Sequence, residues 1–159
     1  MCYAGVTRAR PARAAGGRGG VALQDLDLVC GRLHDAGLRL TGPRRRLVAV
    51  FAGLGHWCTP AELYAAARAA GVPAGRATVY RLLEVLVEQG LCRVFAQRDR
   101  SVRYVFCGPG HHHHMICEDC GRVTEIAECA VEPPPAGFAV REHAVDFFGQ
   151  CDRCQAAKT

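Results

Sequence analysis

No stretch of this 159-residue chain approaches the ~18–20 consecutive apolar residues of a membrane span, so no membrane association is expected. The N-terminus lacks the apolar core of a secretory signal, so secretion is not expected and the cytoplasm is the expected compartment. Without an oxidising compartment, the ten cysteines are poor candidates for a disulfide scaffold, and thiolate metal ligation fits them better. Acidic residues are missing from residues 1–20, which carry Arg8, Arg10, Arg13 and Arg18 among glycine and alanine. With no apolar period, that stretch reads as a disordered basic arm, loosely like a transit peptide. No internal repeat is present beyond two Cys-x-x-Cys pairs. No general base beside a substrate pocket is readable, so an enzyme, such as a zinc hydrolase, is not expected.

What is present begins with a usable core, since half of the residues are hydrophobic. The length suits one ordinary domain or two small ones. The net charge of +5 is unevenly spread: residues 21–110 hold 12 basic and 7 acidic side chains, whereas residues 111–159 hold 4 and 8. A basic front and an acidic back rich in metal ligands suggest two jobs, the first being contact with a polyanion.

The front half reads as helices. Leu23, Leu26, Val29, Cys30 and Leu33 fall at helical spacing over residues 22–36. Thr41-Gly42-Pro43 starts a second helix, with Leu47, Val50, Phe51 and Leu54 on one face. Thr59-Pro60-Ala61-Glu62 spells a capping box, which begins a third helix running to about Ala70. After the turn at residues 71–75, a helix from Arg76 to Gln89 carries Val79, Leu82, Leu83, Leu86 and Val87 on one stripe, and Gly90 stops it. Residues 91–106 alternate around the polar tip Arg98-Asp99-Arg100-Ser101, as a hairpin would. Helices followed by a hairpin wing give the order of a winged helix-turn-helix. Beyond Gly108 the chain reads as strand-rich, and Pro133-Pro134-Pro135 blocks any long helix.

On the Arg76–Gln89 helix, Ala77, Tyr80, Arg81 and Glu84 lie off the apolar stripe. Tyr80 and Arg81 sit near the end that enters a major groove in helix-turn-helix proteins. Arginine can grip guanine with two hydrogen bonds, and an aromatic ring can pack on a thymine methyl. Arg39, Arg44, Arg45 and Arg46 suit phosphates or a minor groove. The expected partner is therefore double-stranded DNA.

The densest signal is the segment from Cys107 to Gly121, which holds a cysteine, four consecutive histidines and the pair Cys117-x-x-Cys120. With Cys151 and Cys154 these thiols form Cys-x2-Cys-x30-Cys-x2-Cys, the donor set of a closed, structural, tetrahedral zinc site. If residues 111–115 are extended, His111 and His113 face one way and His112 and His114 the other. Cys107 can then swing back over the Gly108-Pro109-Gly110 turn to join His112 and His114. A thiolate with two imidazoles favours zinc over iron or manganese. Cys2, Cys30, Cys58 and Cys129 show no partner spacing and read as free or buried thiols.

Four motifs together, residues 36–44 (AGLRLTGPR), 77–83 (ATVYRLL), 111–121 (HHHHMICEDCG) and 149–154 (GQCDRC), resemble the ferric uptake regulator family of bacterial metalloregulators, and most closely its zinc-sensing branch. The resemblance spans roughly residues 22–154. After the basic arm over 1–20, it implies an α+β protein: a winged-helix core over 21–90, wing and hinge over 91–107 with the hinge near Gly90 to Val94, and a small α/β metal-binding dimerisation domain with structural zinc over 108–159. It implies a homodimeric, metal-dependent repressor in the bacterial cytoplasm that binds a palindromic operator and controls metal-uptake genes. Cys107, His112 and His114 correspond to the regulatory site, with zinc as its metal and iron or manganese as alternatives. The fourth ligand usual in zinc-sensing relatives falls at Arg93, which leaves Cys92, His56 or a solvent or other non-protein ligand as candidates for that place. For His111 and His113 the family pattern supplies Glu132 and His143 as further ligands. Iron-, manganese-, nickel- or peroxide-responsive regulation is the alternative function.

Overall fold

The computed structural model describes residues 23–97, 100–127, 129, 137–141 and 143–158. The basic arm, the hairpin tip at Arg98 and Asp99, the triple proline and Glu132 lie outside them. In chain order the elements are α1 (Leu23–Asp35), α2 (Gly42–Gly53), α3 (Pro60–Ala69), α4 (Arg76–Glu88), β1 (Cys92–Ala96), β2 (Val102–Phe106), β3 (His113–Cys117), β4 (Val123–Ile126), β5 (Asp146–Gly149) and α5 (Asp152–Ala156). The architecture is α+β, as expected.

The helical period in the sequence becomes one core. Val29 and Leu33 from α1 meet Leu47, Val48 and Phe51 from α2, Leu63 and Ala67 from α3, and Val79, Leu82, Leu83 and Leu86 from α4. Val87 departs from the expected stripe and stays 37% exposed, because four residues per two turns already fill the core-facing side of α4. The α3 capping box forms in both directions. Thr59 Oγ1 accepts from the Glu62 amide at 3.2 Å, and Glu62 Oε2 accepts from the Thr59 amide at 2.7 Å. That pairing satisfies two amides that a helix start otherwise leaves open. The Thr41 side chain makes no such bond at α2, where Pro43 occupies the first turn instead.

The wing is the antiparallel pair β1–β2, registered Cys92↔Phe106 through Ala96↔Val102. Gly90 to Val94, where the resemblance puts a hinge, leads directly from α4 into β1. Phe106 returns to the helical core edge-on to Phe51, with ring centroids 5.5 Å apart. Cys58 extends the wing by a bridge to Tyr104.

The second sheet has the order β4-β3-β5, with β4 antiparallel and β5 parallel to the central β3. Side chains alternate across it. One face presents Ile116 and Phe148 to the winged helix, where Trp57, Phe95, Val105 and Val123 complete a smaller apolar cluster. The other face carries the register partners Met115 and Phe147, which are 52% and 49% exposed. Backbone bonds fasten the α2–α3 loop to this sheet: Trp57 N–H to Gly121 O at 2.9 Å and Val123 N–H to Gly55 O at 3.0 Å.

Candidate metal centres and nucleic-acid interface

Among the described residues three sets of ligand-type side chains converge, and in each set the ligand atoms lie within 4.8 Å of one another. The first is Cys117, Cys120, Cys151 and Cys154. Cys117 ends β3, the turn over residues 118–120 carries Cys120 back, and Gly121 closes that turn at φ +73°. Cys151 precedes α5 and Cys154 lies within it. Cys120 and Cys151 sulfurs are 3.8 Å apart, and the Cys151 amide donates to Cys117 Sγ at 3.3 Å. Amides of Cys120 and Cys151 pull the Cys117 thiol down to about 6, stabilising the thiolate.

The second set is Cys107, His112 and His114. Cys107 follows β2, held by its amide bond to Leu91 O at 3.0 Å, and its Sγ lies 3.6 Å from His114 Nε2. His112 turns its Nδ1 to Gly110 O at 3.1 Å, leaving Nε2 for the cluster. Burial pushes the Cys107 thiol up to about 12, with the nearby Arg93 charge opposing it. Burial also lowers the His114 pKa, against the bond to Asp146, so the ring is kept in its neutral, ligating form. His114 Nδ1 contacts Asp146 Oδ1 at 3.1 Å, and Asp146 Oδ2 accepts from Arg93 Nη2 at 2.7 Å. A carboxylate on the far nitrogen of a ligating histidine fixes the ring and its tautomer. This one also reaches β1 of the wing. A cavity of about 220 Å³ opens here, lined by Arg93, Cys107, His112 and His114 among others.

Neither proposed fourth ligand joins this set. The Cys92 side chain is buried in the helical core and directs its thiol to Arg93 O at 3.5 Å. His56 is bridged to Arg122 and sits in another cavity, beside Cys120, with its Nδ1 on Leu54 O at 2.7 Å. The strand pairing of the α2–α3 loop carries it to the cysteine knuckle instead.

The third set is His111, His113, Cys129 and His143. The alternation expected for the four histidines therefore holds: odd and even members feed different sets. Cys129, read from the sequence as a free or buried thiol, is exposed and lies 3.1 Å from His143 Nε2. Nothing in its spacing marked it, because the contact is made across the sheet after β4 ends. Asp146 was missed for the same reason. Glu132, expected in this set, lies outside the described residues.

On α4 the residues expected to face DNA are outward. Ala77 and Arg81 are exposed and Tyr80 is 52% exposed. Arg39 is exposed beside α2, and Arg44 donates to its carbonyl at 2.7 Å.

A winged helix joined to a cysteine- and histidine-rich sheet defines a DNA-binding metalloregulator. The Ferric uptake regulator family profile matches residues 35–146, and the chain belongs to that family. Its members are metal-dependent transcription regulators rather than enzymes. The chain is 30% identical over 132 residues to the ferric uptake regulation protein of Neisseria meningitidis, covering 79% of this chain and 92% of that one. To the protein of the same name from Legionella pneumophila it is 33% identical over 132 residues, covering 78% and 96%. Among solved structures it is similar to a zinc uptake regulator complexed with zinc and DNA, with 25% identity, a TM-score of 0.57, and coverage of 85% and 95%. Among the described residues no helix is long and apolar enough to cross a membrane.

Proposed function

We propose that this protein is a zinc-responsive repressor of the zinc uptake regulator branch, acting as a homodimer on operators of metal-uptake genes. The observation that carries this reading is the buried Cys107 thiol packed against His112 and His114. A metal held by these three side chains would supply positive charge and draw them around one centre. One soft thiolate with two imidazoles suits zinc better than iron(II) or manganese, which prefer more oxygen. That donor set weighs against the ferric specificity in the curated relatives' names.

The remaining residues supply a route to DNA. His114, oriented by Asp146, is one link from Arg93 on the wing strand β1. Ordering Cys107, His112 and His114 around one centre holds the ring of His114, and through Asp146 it holds the wing against the second sheet. A closed arrangement selected in this way raises operator affinity, and by linkage the operator raises metal affinity by the same factor. Tyr80 and Arg81 then read bases, while Arg39 and Arg44 contact the phosphate backbone. Cys117, Cys120, Cys151 and Cys154 hold a second, structural zinc that supplies folding energy to a small domain. The exposed Met115–Phe147 pair offers an apolar face for the homodimer.

The test is a metal titration of operator binding with zinc, iron(II), manganese and nickel. Zinc is expected to induce binding at the lowest free concentration. A lower threshold for iron(II) or manganese would overturn the zinc assignment and leave the regulator.

A further inference from the structure

Tyr64 joins the two helices of the helix-turn-helix, α3 and α4, through their arginines. It sits on α3, partly buried against the helical core. Its ring carries the guanidinium of Arg76, the first residue of α4, 5.2 Å from the ring centroid, a cation–π contact. Its hydroxyl lies beside Arg68, one turn further along and in the last turn of α3. We infer that Tyr64 is a positioning residue that holds Arg68 and Arg76 as a paired contact for DNA phosphate, flanking the bases that Tyr80 and Arg81 read. The inference rests on the reading of α4 as the DNA-reading helix and is independent of which metal is sensed at Cys107.

The charge around Tyr64 calls for an anion. Arg68 and Arg76 are both exposed, and among the described residues neither is paired with a carboxylate. Two unneutralised cations held at one phenol repel each other until an anion joins them. The Arg68 guanidinium beside the Tyr64 hydroxyl, with Arg76 behind it, holds that hydroxyl below the usual phenol range against desolvation, so the cluster already favours negative charge at this point. The start of α4 adds to the same field: Gly75 supplies no side-chain cap, and no acidic residue stands in the first turn.

The geometry selects phosphate rather than a base. In a helix-turn-helix the second helix enters the groove, while the first crosses the backbone. Arg76 shares a face of α4 with Tyr80, one turn on, but the Tyr64 ring draws its guanidinium back over α3. Arg68 is on α3 itself. Both charges therefore lie on the backbone side of the base-reading surface. A guanidinium grips two phosphate oxygens at once, and such contacts fix register without reading sequence. The phenol orders both side chains beforehand, which removes part of the entropy cost of binding.

The test is fluorescence anisotropy of the zinc-loaded, full-length protein on a natural operator fragment and on a scrambled fragment, across a salt series. Arg68→Ala and Arg76→Ala should each weaken both DNAs alike and flatten the logarithmic salt slope by about 0.9 per protomer, one phosphate contact. Tyr64→Phe, which keeps the core packing, and Tyr64→Leu should weaken both DNAs by roughly 2–10-fold with the slope kept, because the arginines still reach phosphate but must first be ordered. In the Arg68→Ala/Arg76→Ala background, Tyr64→Leu should add no further loss. A loss confined to the operator fragment in Arg76→Ala would overturn the inference in favour of base reading. An undiminished effect of Tyr64→Leu in the double background would overturn the positioning role. Arg81→Ala, run alongside, reports on α4 itself. If it loses the operator while the Arg68 and Arg76 variants keep the wild-type slope, the paired contact alone is overturned. If it binds the operator as the wild type does, the reading of α4 falls, and the inference with it.

Discussion

The Cβ that Gly121 lacks would sit 2.5 Å from both Cδ1 and Nε1 of Trp57. Gly121 closes the Cys117-x-x-Cys120 knuckle, and Trp57 belongs to the loop between the first two helices of the winged-helix motif, α2 and α3. The knuckle and the DNA-binding half are therefore in direct contact, backed by the Trp57 amide on Gly121 O. Gly121→Ala forces a side chain into a left-handed backbone, at about 1–2 kcal/mol, and into the indole as well. It should lower the unfolding temperature while leaving four-cysteine zinc content intact. Trp57→Ala, which relieves the clash, should partly rescue it. Thermal unfolding of both single variants and the double variant measures this.

Asp146→Asn tests the link between the buried cluster and the wing. The amide cannot serve both His114 Nδ1–H and Arg93 as the carboxylate does. Metal affinity at the Cys107 cluster should fall roughly 10–100-fold, the usual effect of removing such an outer partner. Competition with a zinc chelator measures the loss, and the four-cysteine zinc should be unaffected.

Much of this was legible in the sequence, and the reason is local. Helices with apolar stripes, the Thr59 capping box and the paired cysteines are short-range patterns, and each formed where it was read. Strand alternation also divided His111 to His114 between two clusters. Cys129, Asp146 and Arg93 were not legible as site residues. Their roles arise from β5 pairing in parallel with β3 and from the wing folding over the sheet, contacts between residues far apart in the chain. His56 went elsewhere for the same reason, since its loop pairs with Arg122.

Arg81→Ala and Tyr80→Ala should each weaken operator binding by about 1–3 kcal/mol, the scale of one good base contact. Both side chains are exposed, so zinc content and folding should not change. Gel shifts on a natural operator and on nonspecific DNA distinguish base reading from charge alone.

Cys154→Ser removes one of four ligands from the knuckle cluster. It should lose the structural zinc, destabilise the second sheet and shift the homodimer toward monomer. Phe147→Asp should also produce monomer while retaining zinc, because the residue lies on the exposed face rather than in the cluster. Sedimentation with metal analysis separates the two outcomes.

The central claim is that Cys107 couples zinc to DNA binding, and operator binding by Cys107→Ser across a free-zinc series tests it most directly. The variant should keep its four-cysteine zinc and its fold, yet require far more zinc than the wild type for the same occupancy of the operator. Wild-type binding by Cys107→Ser at wild-type zinc concentrations would contradict the account.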